Sequence, residues 1–196
     1  MRGVRGILCL VALVLLSACA SDKAPAEQAI KSAETAVAGV KAEAAKWVPD
    51  QMQALDTSLA SVKDKFAKGD YKAVLADAPA LAGRAKDVAT AAAAKKAALT
   101  KSWDEMSAGL PKMMEAVKSR VDILSKSKKL PANVTKEQFE AAKAGLAGAT
   151  KGWDDATAAF KGGNVGDAVA KADAVKKMTV EALQALGMPV PPAAKS

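Results

Sequence analysis

Histidine is absent from the 196-residue chain. That removes the side chain most often used as a general base near neutral pH, and with it the Ser-His-Asp triad and every imidazole metal site. Cysteine is almost absent: Cys9 and Cys19 are the only two. No disulfide can therefore staple the chain beyond residue 19, and neither thiol catalysis nor a zinc-thiolate site can be built there. Aromatic residues number three Trp, three Phe and one Tyr, too few to stack the bases of a nucleic acid along a groove. Period-two alternation of β-branched and aromatic residues, the mark of a half-buried strand, is missing. Calcium-loop spacing is missing as well, and Gly145 to Gly152 lacks the Gly-Lys-Ser/Thr and the preceding strand of a phosphate loop. Carboxylates, lysines and hydroxyls are what remains for chemistry, and no cofactor or metal is expected.

Present instead is alanine, with lysine, leucine, valine and acids behind it, which is helix composition. The exception is the start. Arg2 and Arg5 precede an unbroken apolar run from Ile7 to Leu16, which ends in Leu16-Ser17-Ala18-Cys19. A charged segment, a short apolar core and a small-residue cleavage site make up a secretory signal. The run is too short to span a bilayer, which takes roughly 20 apolar residues.

Leu16-Ser17-Ala18-Cys19 resembles the lipobox of bacterial lipoproteins. The resemblance covers residues 1–19 and implies a diacylglycerol on the Cys19 sulfur, cleavage before Cys19 and acylation of the new amino group. Two or three acyl chains anchor firmly, since each buried methylene contributes about 0.8 kcal/mol. In the Gram-negative families an aspartate directly after the cysteine retains the protein at the inner membrane. Ala20 stands there, which by that resemblance points to the outer membrane, with the periplasmic face as the expected side.

With residues 1–18 removed as signal peptide, the 29 basic residues become 27 against 21 acids, a net +6 in place of +8. Such a surface suits lipid head groups, lipopolysaccharide phosphates or cell-wall carboxylates. Residues 19–24 are the lipidated cysteine and a short tether, of which Ala20 to Ala24 reach about 17 Å when extended. The helical region expected over 25–187 is long enough for one domain or two small ones.

Pro25 is expected to open the first helix, with Ile30, Ala33, Val37, Val40, Ala44 and Trp47 on its apolar face. Pro49-Asp50 starts a second, carrying Met52, Leu55, Leu59, Val62 and Phe66, and Lys68-Gly69-Asp70 ends it with a glycine and a new N-cap. Val74, Leu75 and Ala78 continue the pattern to Pro79, which is expected to kink or restart it. A helix of about 29 residues follows to Ala108, its stripe interrupted by Lys95 and Lys96. Gly109-Leu110-Pro111 then reads as a turn, before Met114, Val117, Val121 and Leu124 mark a further helix. Ser125 to Val134 is the longest loop. Thr135 and Gln138 form a capping box ahead of Phe139, Ala142, Leu146, Ala149, Trp153, Ala156 and Phe160. Gly162-Gly163-Asn164 turns the chain into a last helix that ends at Gly187, and the proline-rich 188–196 is an extended or disordered tail. The expected fold is all-α, an antiparallel bundle of six or seven helices.

Two internal echoes stand out. Thr100-Lys101-Ser102-Trp103-Asp104 matches Thr150-Lys151-Gly152-Trp153-Asp154, and Phe66-Ala67-Lys68-Gly69-Asp70-Tyr71 is loosely repeated after Phe160. The second resembles the inter-helix turn of tetratricopeptide repeats, over the turns alone and without that family's 34-residue period. It implies helical hairpins.

Candidate sites are few. The adjacent acids Asp104-Glu105 and Asp154-Asp155 diverge by about 100° on a helix, so neither pair can converge as a glycosidase needs. Trp47, Trp103 and Trp153 fall on or beside apolar stripes and are expected as core anchors, with a ligand platform as the alternative. Lys95-Lys96, Lys176-Lys177 and above all Lys126, Lys128 and Lys129 are solvated faces that can contact an anionic surface. The reading is a membrane-anchored, non-enzymatic structural or interaction module whose partners are envelope proteins or cell-wall polymer. A bundle holding a lipid-like or other small apolar ligand is the alternative.

Overall fold

The computed structural model describes the backbone of residues 4–191 and the side chains of residues 22–191. Five helices account for nearly all of it: α1 (Val4–Trp47), α2 (Pro49–Ala67), α3 (Tyr71–Lys126), α4 (Lys136–Lys161) and α5 (Val165–Ala185). No strand occurs among the described residues. The all-α class holds, but the count is five where six or seven were expected.

The difference lies in α3. Neither Pro79 nor Gly109-Leu110-Pro111 breaks it, and three expected helices are one of 56 residues. A proline inside a helix removes one hydrogen bond and crowds the carbonyl four residues back. Both prolines lie on the exposed side of α3, where water can satisfy the freed carbonyl and a gentle bend is tolerated. The apolar stripe passes them in phase. Val74, Ala78, Leu81, Ala85, Val88 and Ala92 are buried around Pro79, and Leu110, Met114, Val117, Val121 and Leu124 around Pro111. Stopping the helix would forfeit that burial. Pro25 likewise sits inside α1, so the helix takes in the stretch expected as a tether instead of opening at the proline.

Where the sequence left one domain or two small ones open, the chain divides into two compact units, 1–95 and 96–196. The first is built from α1, α2 and the start of α3, around Ala33, Val37, Leu55, Val62, Val74 and Leu81. Its helices alternate in direction, as two heptad-spaced pairs of cross-links show. Lys41 meets Asp56 at 3.0 Å and, seven residues away on each helix, Glu34 meets Lys63 at 2.5 Å. Lys65 meets Asp77 at 2.5 Å and, again seven away on each, Ser58 accepts from Arg84 at 2.7 Å. These surface pairs fix register more than they stabilise.

The second unit uses the rest of α3 with α4 and α5, around two apolar clusters. One holds Trp103, Leu110, Ala149, Ala156, Ala172 and Val175, the other Val117, Leu124, Phe139, Ala142, Leu183 and Leu186. Gly145, Gly148 and Gly152 line the α4 face toward α5. A Cβ there would lie 3.7 Å from the Ala182 Cβ, 3.1 Å from the Met178 Sδ and 2.9 Å from the Val175 Cγ2, respectively. The glycines that brushed against a phosphate-loop pattern are a packing seam.

Both units follow one plan. Gly69 (φ 80°) and Gly163 (φ 77°) end α2 and α4 with matching bonds, Gly69 N to Phe66 O and Asp70 N to Lys65 O in one, Gly163 N to Phe160 O and Asn164 N to Ala159 O in the other. This is the Schellman pattern, which needs a left-handed residue and hence glycine. Beyond the turns the burial repeats 94 positions on: Val74, Ala78, Leu81, Ala85, Val88 and Ala92 correspond to Ala168, Ala172, Val175, Thr179, Ala182 and Leu186, all buried. The one polar member, Thr179, donates its hydroxyl to the Val175 carbonyl at 2.8 Å. The faint echo at the turn is thus the legible part of a repeated three-helix arrangement. Between the stripes, residues 93–98 of α3 are exposed on every side, and Lys95 and Lys96, which interrupt the stripe, sit in that stretch.

Candidate functional site

The side chain of Cys19 is not among those described, and neither are the side chains of the apolar run before it. Among the described residues no helix is long and apolar enough to cross a membrane, and no three Cys, Asp or Glu side chains come together as metal ligands.

Lys126, Lys128 and Lys129 are exposed at one end of the second unit. Their loop is pinned from beneath. Val134 is buried and Leu130 packs against the cluster of Val117 and Leu124. Thr135 then caps α4, its hydroxyl accepting from the Gln138 N–H at 3.2 Å while the Gln138 side chain accepts from the Thr135 N–H at 2.8 Å. Glu137, in the first turn, has its carboxyl held below the usual carboxylate range by its own backbone N–H and the Thr135 hydroxyl. In the first unit, the hydrogen bond and charge of Asp77 raise Lys65 above the usual ammonium value.

The tryptophans divide. Trp47 and Trp103 are core residues, 7% and 6% exposed, and the Trp47 Nε1 donates to the Glu43 carboxylate at 2.8 Å. Trp153 is only half-buried. It stacks on Trp103 with centroids 5.5 Å apart and planes 6° from parallel, and Phe160 stacks on Trp103 at 4.4 Å. The echo around Trp103 and Trp153 is therefore not a repeat of units. It supplies two members of one aromatic stack that ties α3 to α4.

Trp153 also lines an open groove of about 890 Å³ between α3 and α4, with Met114, Val121 and Leu146 as further apolar lining and Glu115, Lys118, Asp122 and Asp154 among its charges. A second groove of about 740 Å³ runs between α3 and α5 past Met106, Leu110, Met113 and Val169 to Pro191. Met188 and Val190 pack against the adjoining cluster, so the tail begins extended along the second unit. Residues 192–196 lie outside the described residues. Each acid pair sends one member to a groove, Asp154 to the first and Glu105 to the second. The two acid pairs therefore do not converge on each other.

Sequence reasoning missed two features. One is the exposed face of Trp153. The other is Ile123, 56% exposed and the one large hydrophobic side chain left out of the packing among the described residues. Its signal was present, since Val121 and Leu124 carry the stripe and Ile123 falls out of phase with them. Comparison with protein-family models, with curated proteins and with solved structures finds no match to the chain.

Proposed function

We propose that the chain is a lipid-anchored module of a Gram-negative envelope, held by Cys19 on the periplasmic face of the outer membrane and acting without catalysis, as a structural or interaction element. The observation that carries this reading is Leu16-Ser17-Ala18-Cys19 behind a charged and apolar leader, in a chain with no cysteine after Cys19. Acylation consumes that thiol, and no residue downstream needs a disulfide partner. A non-catalytic role is favoured by the lack of histidine and by the divergence of the Asp104-Glu105 and Asp154-Asp155 pairs, which do not meet each other. The envelope partners are proteins or wall polymer meeting exposed helical faces rich in lysine.

Replacing Cys19 by serine is the test, because serine cannot form the thioether. Radiolabelled fatty acid is expected on the wild type and absent from Cys19→Ser. Label that persists in the variant refutes the anchor.

The α3/α4 groove, with the half-buried Trp153 on its wall, favours a second reading, in which the bundle carries a small apolar ligand. An organic extract of denatured, purified protein containing a stoichiometric lipid would give that reading precedence.

A further inference from the structure

We propose that the end of the second unit formed by residues 118–136 docks on an anionic lipid leaflet, with Ile123 as the side chain that enters it. The proposal rests on the anchored reading, which keeps the chain beside a leaflet where a weak contact is continuously available.

Charge is the first argument. Residues 118–136 hold six basic side chains, Lys118, Arg120, Lys126, Lys128, Lys129 and Lys136, against the single acid Asp122. Asp122 lines the α3/α4 groove together with Lys118. The next acid, Glu137 at the start of α4, is exposed and kept ionised by the Thr135 hydroxyl and its own N–H, so counting it leaves the balance at six to two. Lys126, Lys128, Lys129 and Lys136 are all exposed. They project from an ordered support, because Leu130 and Val134 tuck beneath the loop and the Val134 N–H closes a turn on the Pro131 carbonyl at 3.0 Å.

Ile123 is the second argument. It lies one turn before Lys126 on the same face of α3, and the Ser127 hydroxyl closes the helix end on its carbonyl at 3.0 Å. A lone exposed aliphatic residue is ordinary on a protein surface. This one stands in the most basic part of the chain, where long lysine stems and one apolar tip form the arrangement that a head-group layer accepts: ammonium groups at the phosphates, the aliphatic tip at the acyl boundary.

A protein partner fits less well. Specific protein interfaces centre on aromatic or arginine anchors in desolvated pockets and bury several hundred Å² on each side. This end offers one aliphatic side chain amid mobile ammonium groups, and its aromatic residue, Phe139, is buried.

The test uses residues 19–196 carrying Cys19→Ser, which retains every core residue described, and vesicles of phosphatidylcholine with or without about a third of phosphatidylglycerol. Binding is expected on the anionic vesicles only. It is expected to vanish in ~1 M salt, where the screening length falls to about 3 Å. Replacing Lys126, Lys128 and Lys129 together by glutamine is expected to weaken binding about a hundredfold, and Ile123→Ser about tenfold. The same triple change at Lys31, Lys68 and Lys86 in the first unit is expected to leave it within about twofold, as charge remote from the contact acts weakly. An environment-sensitive dye on Ile123→Cys is expected to shift to the blue on anionic vesicles, and one on Lys101→Cys to stay unchanged.

Binding that survives the lysine replacements, or a dye at position 123 that does not shift, overturns the proposal. Binding to polyglutamate with none to vesicles overturns it in favour of an acidic protein partner. Fatty-acid labelling of Cys19 is read separately, so loss of the anchor and loss of this surface are told apart.

Discussion

Gly109 and Pro111 offer a test in which the sign of the effect decides. If residues 109–111 were a turn, Gly109→Ala would strain a left-handed backbone, and Pro111→Ala would surrender the rigidity of the unfolded chain, costing about 0.4–1 kcal/mol. In the structure both lie inside α3. A Cβ built on Gly109 meets nothing within 4 Å, and alanine is better than glycine in a helix interior by about 0.8–1 kcal/mol. Pro111 is exposed, and alanine there would restore an N–H that can bond back to the Ser107 carbonyl. The full helix-interior penalty of proline is about 3 kcal/mol. Water reaches the exposed side of the helix and offsets part of it, so Pro111→Ala is expected to add roughly 1–3 kcal/mol.

For a unit of this size each kcal/mol raises Tm by roughly 4–8 °C. The assay is thermal and urea unfolding followed both by helix circular dichroism and by tryptophan emission, which the stacked Trp103 and Trp153 dominate for the second unit. Gly109→Ala is expected to raise Tm by several degrees and Pro111→Ala by at least as much. A fall in Tm for both would refute the continuous helix and restore the turn.

Three further outcomes are expected. Trp103→Ala, which empties a 6%-exposed site and unstacks two rings, is expected to cost about 3–5 kcal/mol in urea unfolding, and Trp153→Ala clearly less because that ring is half in solvent. Equal losses would contradict the division of the two tryptophans. Gly152→Ala is expected to destabilise despite better helix propensity, because its Cβ would sit 2.9 Å from the Val175 Cγ2, and Gly152→Ala with Val175→Ala is expected to recover part of the loss; a stabilised single variant would show that α4 and α5 are farther apart. Glu137 has its carboxyl held below its ordinary value, so its contribution is present above about pH 4.5 and disappears as pH falls through the lowered folded value. Amide protection factors in the first turn of α4, rates taken relative to the unstructured chain at the same pH, are therefore expected to fall on acidification in the wild type and to depend less on pH in Glu137→Gln.

Much of this architecture was legible because the apolar stripes and glycine stops are local signals. Gly69, Gly163 and Gly187 each mark a helix end with positive φ, and Thr135 with Gln138 marks a start. Proline misleads where phase continues. Pro79 and Gly109-Leu110-Pro111 read as a kink or restart and as a turn, whereas the count from Trp103 through Leu110, Met114 and Val117 to Leu124 runs on in steps that keep one face. The strength of that face depends on what packs against it, and the packing partners in α4 and α5 are distant in sequence. The grooves were illegible for the same reason. Trp153 reads as a stripe residue, and its partial exposure follows only from how far α4 stands from α3 at that level. Ile123 could have been noticed as a large apolar residue one position out of phase.

The stretch 93–98, Ala-Ala-Lys-Lys-Ala-Ala, is exposed all round and holds no core residue, so it stays helical without apolar burial. An unsupported alanine-rich turn is close to balance between helix and coil. It is consequently where α3 opens at least cost, and an opening there breaks no apolar contact in either unit. The lysine pair in the midst of these six exposed residues is accordingly where trypsin would part α3 during such an opening.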